Sequence, residues 1–418
     1  VAVKVSDAGL FDPSNPQTQD LFKLTVMYWD QSVDLPVPPL DPTDPANLMD
    51  PDLRNPTIIE QYDNLSPDSL TSSFYMRRVN DISNLIKLEQ IGPAARPPNN
   101  APPLQLLTGG NDGAVIDITD LTGDPNAPPE QRRGLAALEQ IDEVAILCCP
   151  DENSVTGIPA GQIASRLVEQ CESLKDRFAI LQAPENAPPV STHRPSIVSK
   201  YAAYYYPWIR ILDPLSGQPL EIPPGGHLAG VYARSDIERG VHKAPANEVI
   251  RGLLTDPVDP ARGLQLQITK GQQDLLNPRG VNVLRNFPGR GNLVWGARTT
   301  TLDPDWKYVN VRRLFIFVEE SIEEATQWVV FEPNDEPLWA RVRRSVGDFL
   351  TRLWMDGMLQ GKTKEEAYFV RCDRTTMTQA DLDNGRLIVL IGIAPVKPAE
   401  FVIFRIGQWT GGSEVTEG

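Results

Sequence analysis

The sequence predicts a multi-domain protein of mixed α/β (α+β) class. It should hold α/β layers, a mostly β N-terminal region and a terminal arm strand suited to joining another subunit's sheet. Three observations carry this. Between residues 132 and 181 helical and strand patterns alternate, as in an α/β layer with parallel strands. The first 130 residues are acidic and punctuated by proline. Near the C-terminus, Phe401 to Ile406 forms an apolar run beyond a proline-bearing turn.

The chain has 418 residues, enough for two to four domains. At 41% hydrophobic it can bury real cores. The net charge is −16, which argues against nucleic acid as a partner, because phosphate binding needs clustered Lys and Arg. Residues 1–130 carry 19 acidic and 7 basic residues, so most of the net charge sits there, as expected of a solvated surface. No run reaches the ~18 apolar residues of a membrane span, and no signal peptide is visible. The first residue is Val1, not Met, which points to residues preceding it.

Proline is abundant, 39 residues, about 9% against a typical ~5%. It clusters at 36–56, 93–103, 125–129 and 184–195, which marks loops and boundaries. Region 1–104 is therefore read as acidic, Pro-rich and mostly β, with Ser73 to Asn80 and Ser83 to Leu88 as parts of it.

The turn Gly109-Gly-Asn-Asp-Gly113 opens a middle α/β region, 105–265. A helix is expected at about Arg132 to Ile141, then a buried strand Val144 to Cys149. A second helix runs from about Gly161 to Lys175, with Ile163, Leu167, Cys171 and Leu174 on one face. A strand follows at Phe178 to Leu181. The aromatic run Tyr201 to Trp208 leads into another, Ile209 to Leu212.

Region 266–398 holds two long amphipathic helices. The first spans about Val311 to Trp328, with Val311, Leu314, Phe315, Val318, Ile322 and Ala325 facing a core. The second spans about Leu338 to Leu359. Asn334 or Asp335 can cap it, and Pro337 is tolerated in the first turn. Its apolar stripe is Trp339, Val342, Val346, Phe349, Leu350 and Leu353. Arg341, Arg344 and Arg352 share the other face. From Leu338 to Lys364, counting Lys362, there are six basic and two acidic residues. This positive patch is either a binding face or an ordinary solvated one.

The last region, 399–418, is read as an arm. Two β-rich runs, Leu387 to Ile393 and Phe401 to Ile406, flank a hinge at Pro395 and Pro398. Phe401 and Ile403 alternate with Val402, Phe404 and Ile406, so the second run is apolar on both faces and needs cover on both sides. That suits donation to a neighbouring subunit's sheet. The alternative is a strand tucked into its own domain.

No chemistry-bearing constellation emerges. His193, His227 and His242 are 34 and 15 residues apart, and no Cys pair has ligand spacing, so no metal site is expected. Gly289-Arg-Gly291 is half of a dinucleotide fingerprint without its third glycine. Gly109-Gly110 near Asp112 reads as a turn before it reads as an anion nest. No catalytic residue and no cofactor are assigned. Cys148, Cys149, Cys171 and Cys372 form no disulfide framework. The adjacent pair, Cys148 and Cys149, is expected reduced and buried on a strand, in a chain that folds in a reducing compartment. Two rivals stay open: an α/β enzyme using Asp112, His227 and His242, and a monomeric binding module using the Tyr201 to Trp208 aromatics.

Several local sequences stand together in the chain: Leu107-Thr-Gly-Gly-Asn-Asp-Gly113, Gly240-Val-His-Lys-Ala-Pro-Ala-Asn247, Val294-Trp-Gly-Ala-Arg-Thr299, Tyr308-Val-Asn-Val-Arg-Arg-Leu314, Phe331-Glu-Pro-Asn334 and Pro398-Ala-Glu-Phe401. In this order the chain resembles the contractile tail-sheath family of bacteriophages and phage-tail-like injection systems. The similarity runs from about residue 105 to the end. Val1 to Pro13 lacks the Tyr-Pro-Gly-Val-Tyr-like opening common in that family.

The resemblance implies a structural, non-enzymatic subunit that polymerises with itself around an inner tube protein and meets baseplate and terminal cap proteins. It implies assembly in the bacterial cytoplasm, as part of a phage tail or a phage-tail-like particle, without nucleic acid and without insertion into a membrane. It implies that terminal arms add strands to neighbours, which strengthens the donation reading of Phe401 to Ile406. The C-terminal region supplies the tube-facing inner domain in such proteins, and the acidic first third would include an outward-facing insertion. The exposed candidates toward the tube are Arg341, Arg344, Arg352, Lys362 and Lys364.

Overall fold

A computed structural model describes residues 1–418 except 30–32, 37, 81, 101–103, 105, 110–113, 115, 154, 156–157, 160, 215–216, 255–262, 401–408, 411–412 and 415–418. The chain divides into two compact units: Val1–Ala114 with Asp213–Gln218, and Val115–Leu212 with Pro219–Gly418.

The first unit is built on a three-stranded antiparallel sheet. Its strands are β1 (Ala2–Asp7), β2 (Phe22–Tyr28) and β3 (Ile58–Leu65), in that spatial order. The central strand β2 carries the cover: Phe22, Leu24 and Val26 pack with Leu65 and Val79 on one side, and Met27 joins Ala2, Trp29 and Leu104 on the other. Tyr75–Asn80 forms the short helix α1 and sets Val79 into that core. The sequence pattern predicts no helix in this stretch.

The second unit opens with two short helices, α2 (Ile118–Thr122) and α3 (Gly134–Leu138). The alternation then follows: β4 (Ile146–Cys148), α4 (Gln162–Leu174), β5 (Phe178–Gln182) and β6 (Ala202–Tyr206). β7 (Ile209–Leu212) and β8 (Pro219–Ile222) make an antiparallel pair. Next come α5 (Gly225–Arg239), β9 (Glu248–Val249), α6 (Lys270–Leu276), β10 (Val281–Phe287) and β11 (Gly291–Trp295).

These strands form a six-stranded sheet in the order β4-β5-β6-β10-β11-β9. The pairs from β4 to β10 are parallel, and β10 to β9 are antiparallel. β5 and β6 are buried along their whole length, as parallel strands covered on both faces must be. The aromatics from Tyr201 to Trp208 are therefore core, with Tyr205 fully buried. Gly289 and Gly291 have φ of 75° and 84°, so the half fingerprint is a hairpin turn between β10 and β11, where left-handed backbone favours glycine.

The C-terminal part adds α7 (Val309–Thr326), α8 (Glu336–Met355), α9 (Lys364–Ala367), β12 (Tyr368–Arg371), α10 (Gln379–Asp383) and β13 (Leu390–Ile393). β12 and β13 pair antiparallel as a two-stranded sheet. α7 serves two cores. Val309 and Ile316 enter the core of the large sheet, and Leu314 and Val318 enter a second core with α8.

Candidate functional site

The basic helix face is built by α8. Asp335 caps it, its side chain accepting from the Leu338 amide at 3.0 Å, which satisfies one of the unpaired N–H groups of the first turn. Asn334 instead orients a core residue, its Oδ1 accepting from the Trp339 indole at 2.7 Å. Trp339, Val342, Val346, Leu350 and Leu353 are buried against α7.

That burial turns the opposite face outward, and Arg341, Arg344, Arg352, Lys362 and Lys364 are all exposed. Arg341 meets Glu332 at 3.2 Å and lies over the Trp328 ring. Lys364 comes within 4.0 Å of Glu365. Both pairs are solvent-exposed and weak. Among the described residues, the side chains of Arg344, Arg352 and Lys362 join no ion pair. Asp348, also exposed, stands one turn from both Arg344 and Arg352, so the stripe is not uniformly positive.

The root of the C-terminal segment lies against the same lobe. The Ala394 amide donates to the Ala367 carbonyl at 2.8 Å, and the Gln360 amide to the Ala394 carbonyl at 2.8 Å. Gln360 Nε2 donates to the Pro395 carbonyl at 2.6 Å. Asn310 Nδ2 donates to the carbonyls of Val396 and His242, at 3.0 and 2.8 Å. Glu400 is then held by Arg298 through two hydrogen bonds, 2.6 and 2.8 Å, by Asn277 at 2.7 Å and by the Tyr308 hydroxyl at 3.0 Å. These hydrogen bonds and the Arg298 charge outweigh burial and draw its carboxyl down to about 2. Pro398 lies between these tethers. Phe401, Val402, Ile403, Phe404 and Ile406 fall outside the described residues.

A groove of about 650 Å³ runs beside β13. Alternate residues Gly385, Leu387, Val389 and Ile391 line one wall, and Ile322, Val342 and Val346 of α7 and α8 another. Phe331 stands at its rim, fully exposed with φ of 70°.

The three histidines lie apart, at the sheet, at the start of α5 and beyond its end. His193 is buried against the Tyr204 and Tyr206 rings, and burial lowers its pKa. Burial also lowers His227, on α5, and His242, in the turn beyond it. Asp112 falls outside the described residues. Among the described residues no cluster of three His, Cys, Asp or Glu is placed to hold a metal ion, and no helix is long and apolar enough to cross a membrane. Cys148 and Cys149 are free thiols, but half-buried where the sequence predicted burial, because β4 is an edge strand. Burial still pushes the Cys148 thiol up to about 12.

The Glu400 cluster escaped sequence reasoning as a unit. Its members Asn277, Arg298 and Tyr308 lie up to 123 residues away from it, beyond any local period. The signal available was that Arg298, Tyr308 and Glu400 each fall in one of the local sequences that carry the family resemblance.

Comparison with known proteins agrees with this architecture. Residues 126–300 match the phage tail sheath protein central domain, and residues 301–408 the phage tail sheath C-terminal domain. The helical sheath of the anti-feeding prophage, solved in its contracted state, is 34% identical, covering 70% of this chain and 76% of that one with a TM-score of 0.57. The contracted sheath complex of PVC, an extracellular contractile injection system, is 36% identical over 62% of this chain and 74% of that one, with a TM-score of 0.52. The tail sheath protein of Enterobacteria phage T4 is 23% identical over 65% of this chain. This chain spans 26% to 38% of the length of three curated phage sheath proteins that it matches, T4's included. With the large mixed sheet, the C-terminal lobe and both domain matches in agreement, the chain belongs to the phage tail-sheath family.

Proposed function

We propose that this chain is the structural subunit of a contractile sheath. Copies polymerise helically around an inner tube, and shortening of the sheath drives the tube through a target envelope. Baseplate and cap proteins bound the assembly, which forms in the bacterial cytoplasm. No catalysis enters this reading. Contraction draws on the free-energy difference between two packings of one subunit. Identities of 34% and 36% with two injection-system sheaths, against 23% with the T4 protein, favour a phage-tail-like particle.

Two features together support the reading: a donor run in the sequence and a groove that could accept it. The donor is the two-sided apolar run Phe401 to Ile406. The acceptor is the groove beside β13, where a two-stranded sheet leaves apolar side chains uncovered. Strand addition supplies backbone hydrogen bonds along the edge and side-chain pockets in the groove. The exposed cations of α8 and the following loop, Arg341, Arg344, Arg352, Lys362 and Lys364, then face an acidic surface of the tube. Their contacts are individually weak and salt-screened, which suits a grip that must release.

Electron microscopy of the purified full chain and of a version lacking residues 401–418 tests this. The full chain should form tubes or ring stacks, and the truncation should stay dispersed yet folded by circular dichroism. Normal tubes from the truncation would sink the donation reading.

A further inference from the structure

Resting on the sheath reading above, we infer that Glu400 anchors the root of the C-terminal arm, so that the stretch from Pro395 to Pro398 is held in place and is not the hinge of that arm.

A hinge needs backbone free to rotate. Around the two prolines it is not free. Residues 394–396 are tied by the backbone bonds to Ala367 and Gln360 and by Asn310. Four residues later the Glu400 side chain is fixed again. The prolines therefore lie between two fixed points, and proline is itself stiff in φ.

The grip at Glu400 is a built one. Its side chain is 16% exposed and that of Arg298 is 11% exposed. The guanidinium fork meets both carboxylate oxygens, the bidentate geometry that fixes direction as well as distance. Lys307 adds a second cation at 3.7 Å. Behind Arg298 stands Asn282 on β10, fully buried. Its Oδ1 accepts from the Arg298 amide at 2.7 Å, and its Nδ2 donates to the Arg298 carbonyl at 2.7 Å. A Cβ at Gly296 would come 2.8 Å from Asn282 Oδ1, so the approach of this segment to β10 requires glycine. A continuous path of hydrogen bonds thus runs from the central sheet through Asn282 and Arg298 to Glu400. An ordinary surface ion pair has no such support. Carboxylate charge is needed throughout, because Arg298, Lys307, Asn277 and Tyr308 all present donors or cations to it.

The role is one of positioning, and it separates from mere stabilisation. Four proteins are compared: wild type, Glu400→Ala, Glu400→Gln and a chain ending at Glu400. Limited digestion of unassembled subunits with a nonspecific protease is mapped by mass spectrometry, beside thermal unfolding and sheath yield in micrographs. In Glu400→Ala, cuts between residues 396 and 401 should appear at least tenfold faster, with the body's Tm within a few degrees of wild type and sheath yield reduced at least fivefold. Glu400→Gln, which keeps shape but loses charge, should fall between. If the chain ending at Glu400 fails to assemble while Glu400→Ala assembles and digests like wild type, the anchor is wrong and the arm reading stands. If the chain ending at Glu400 assembles normally, the arm reading fails, and with it the anchor of that arm. If Glu400→Ala lowers Tm sharply and is cut throughout the body, Glu400 only stabilises the fold and the inference is overturned.

Discussion

The Arg313 guanidinium meets the Asp236 carboxylate through both terminal nitrogens, at 2.9 and 2.6 Å. The pair fastens α7 to α5, and Arg313 also lies 4.9 Å from the centre of the Tyr232 ring. Removing one partner of a mostly buried pair leaves a charge without compensation. Arg313→Ala should therefore cost about 3 kcal/mol, the low end for a buried pair because Asp236 keeps some exposure, read by urea unfolding. Arg313→Lys should recover little, since an ammonium cannot reproduce the fork. Wild-type stability in Arg313→Ala would show that the pair contributes nothing net.

Glu152 couples stability to pH. It is 3% exposed, accepts from the Gln182 amide at 2.5 Å through Oε1, and its Oε2 has no partner among the described residues. Burial pushes its carboxyl up to about 8. The folded chain thus holds a proton that the unfolded chain releases near pH 4.5. Stability should fall as pH rises from about 4.5 to about 8 and lose nothing more from this group above that. Glu152→Gln keeps the acceptor and removes the charge. At pH 9 it should be more stable than wild type by roughly 2–5 kcal/mol, and at pH 4 nearly equal. Denaturation curves at both values decide it. A destabilised variant at pH 9 would refute the account.

Phe331 is an aromatic residue with φ of 70° and no cover. Left-handed backbone costs a residue with a Cβ roughly 1–2 kcal/mol. Phe331→Gly should raise the Tm of the unassembled subunit by roughly 2 °C. If Phe331 rims the strand-acceptor groove in the sheath, the same variant should assemble less well. A lower Tm in unassembled Phe331→Gly would mean that the ring packs within the subunit after all.

The basic face of α8 is tested by charge reversal at Arg341 and Arg344. The doubly reversed subunit should polymerise alone but load poorly on inner tube, and raised salt should weaken wild-type loading in the same way. Wild-type loading by the variant would remove the patch from tube binding. All five cations are exposed to a partner, and the Glu332 contact to Arg341 and the Glu365 contact to Lys364 are the intramolecular competitors.

Local elements were legible wherever one period dominated. Gln162–Leu174 announced itself because Ile163, Leu167 and Cys171 recur on one face, and β5 because Phe178, Ala179, Ile180 and Leu181 form an unbroken apolar run. The helix Gly225–Arg239 went unread although Leu228, Val231, Tyr232 and Ser235 mark its buried side. Three glycines, Gly225, Gly226 and Gly230, weaken any helical reading from propensity alone. The basic face of α8 followed from its stripe, and the fold sets Asp348, one of the two acidic residues of that stretch, between Arg344 and Arg352. The grip on Glu400 was out of reach because Arg298 is 102 residues away in sequence, a distance that only folding closes.

Helix α7 has a mechanical consequence. Val309 and Ile316 belong to one core, Leu314 and Val318 to the other. Neither core can lose its packing without stripping one side of the helix that the other needs. Heating should thus melt the body in one cooperative step, a single calorimetric peak. Under load, such a body behaves as a stiff tile. In the proposed sheath, a lattice of such tiles would change length by turning at its joints, its two packings differing in the contacts between copies.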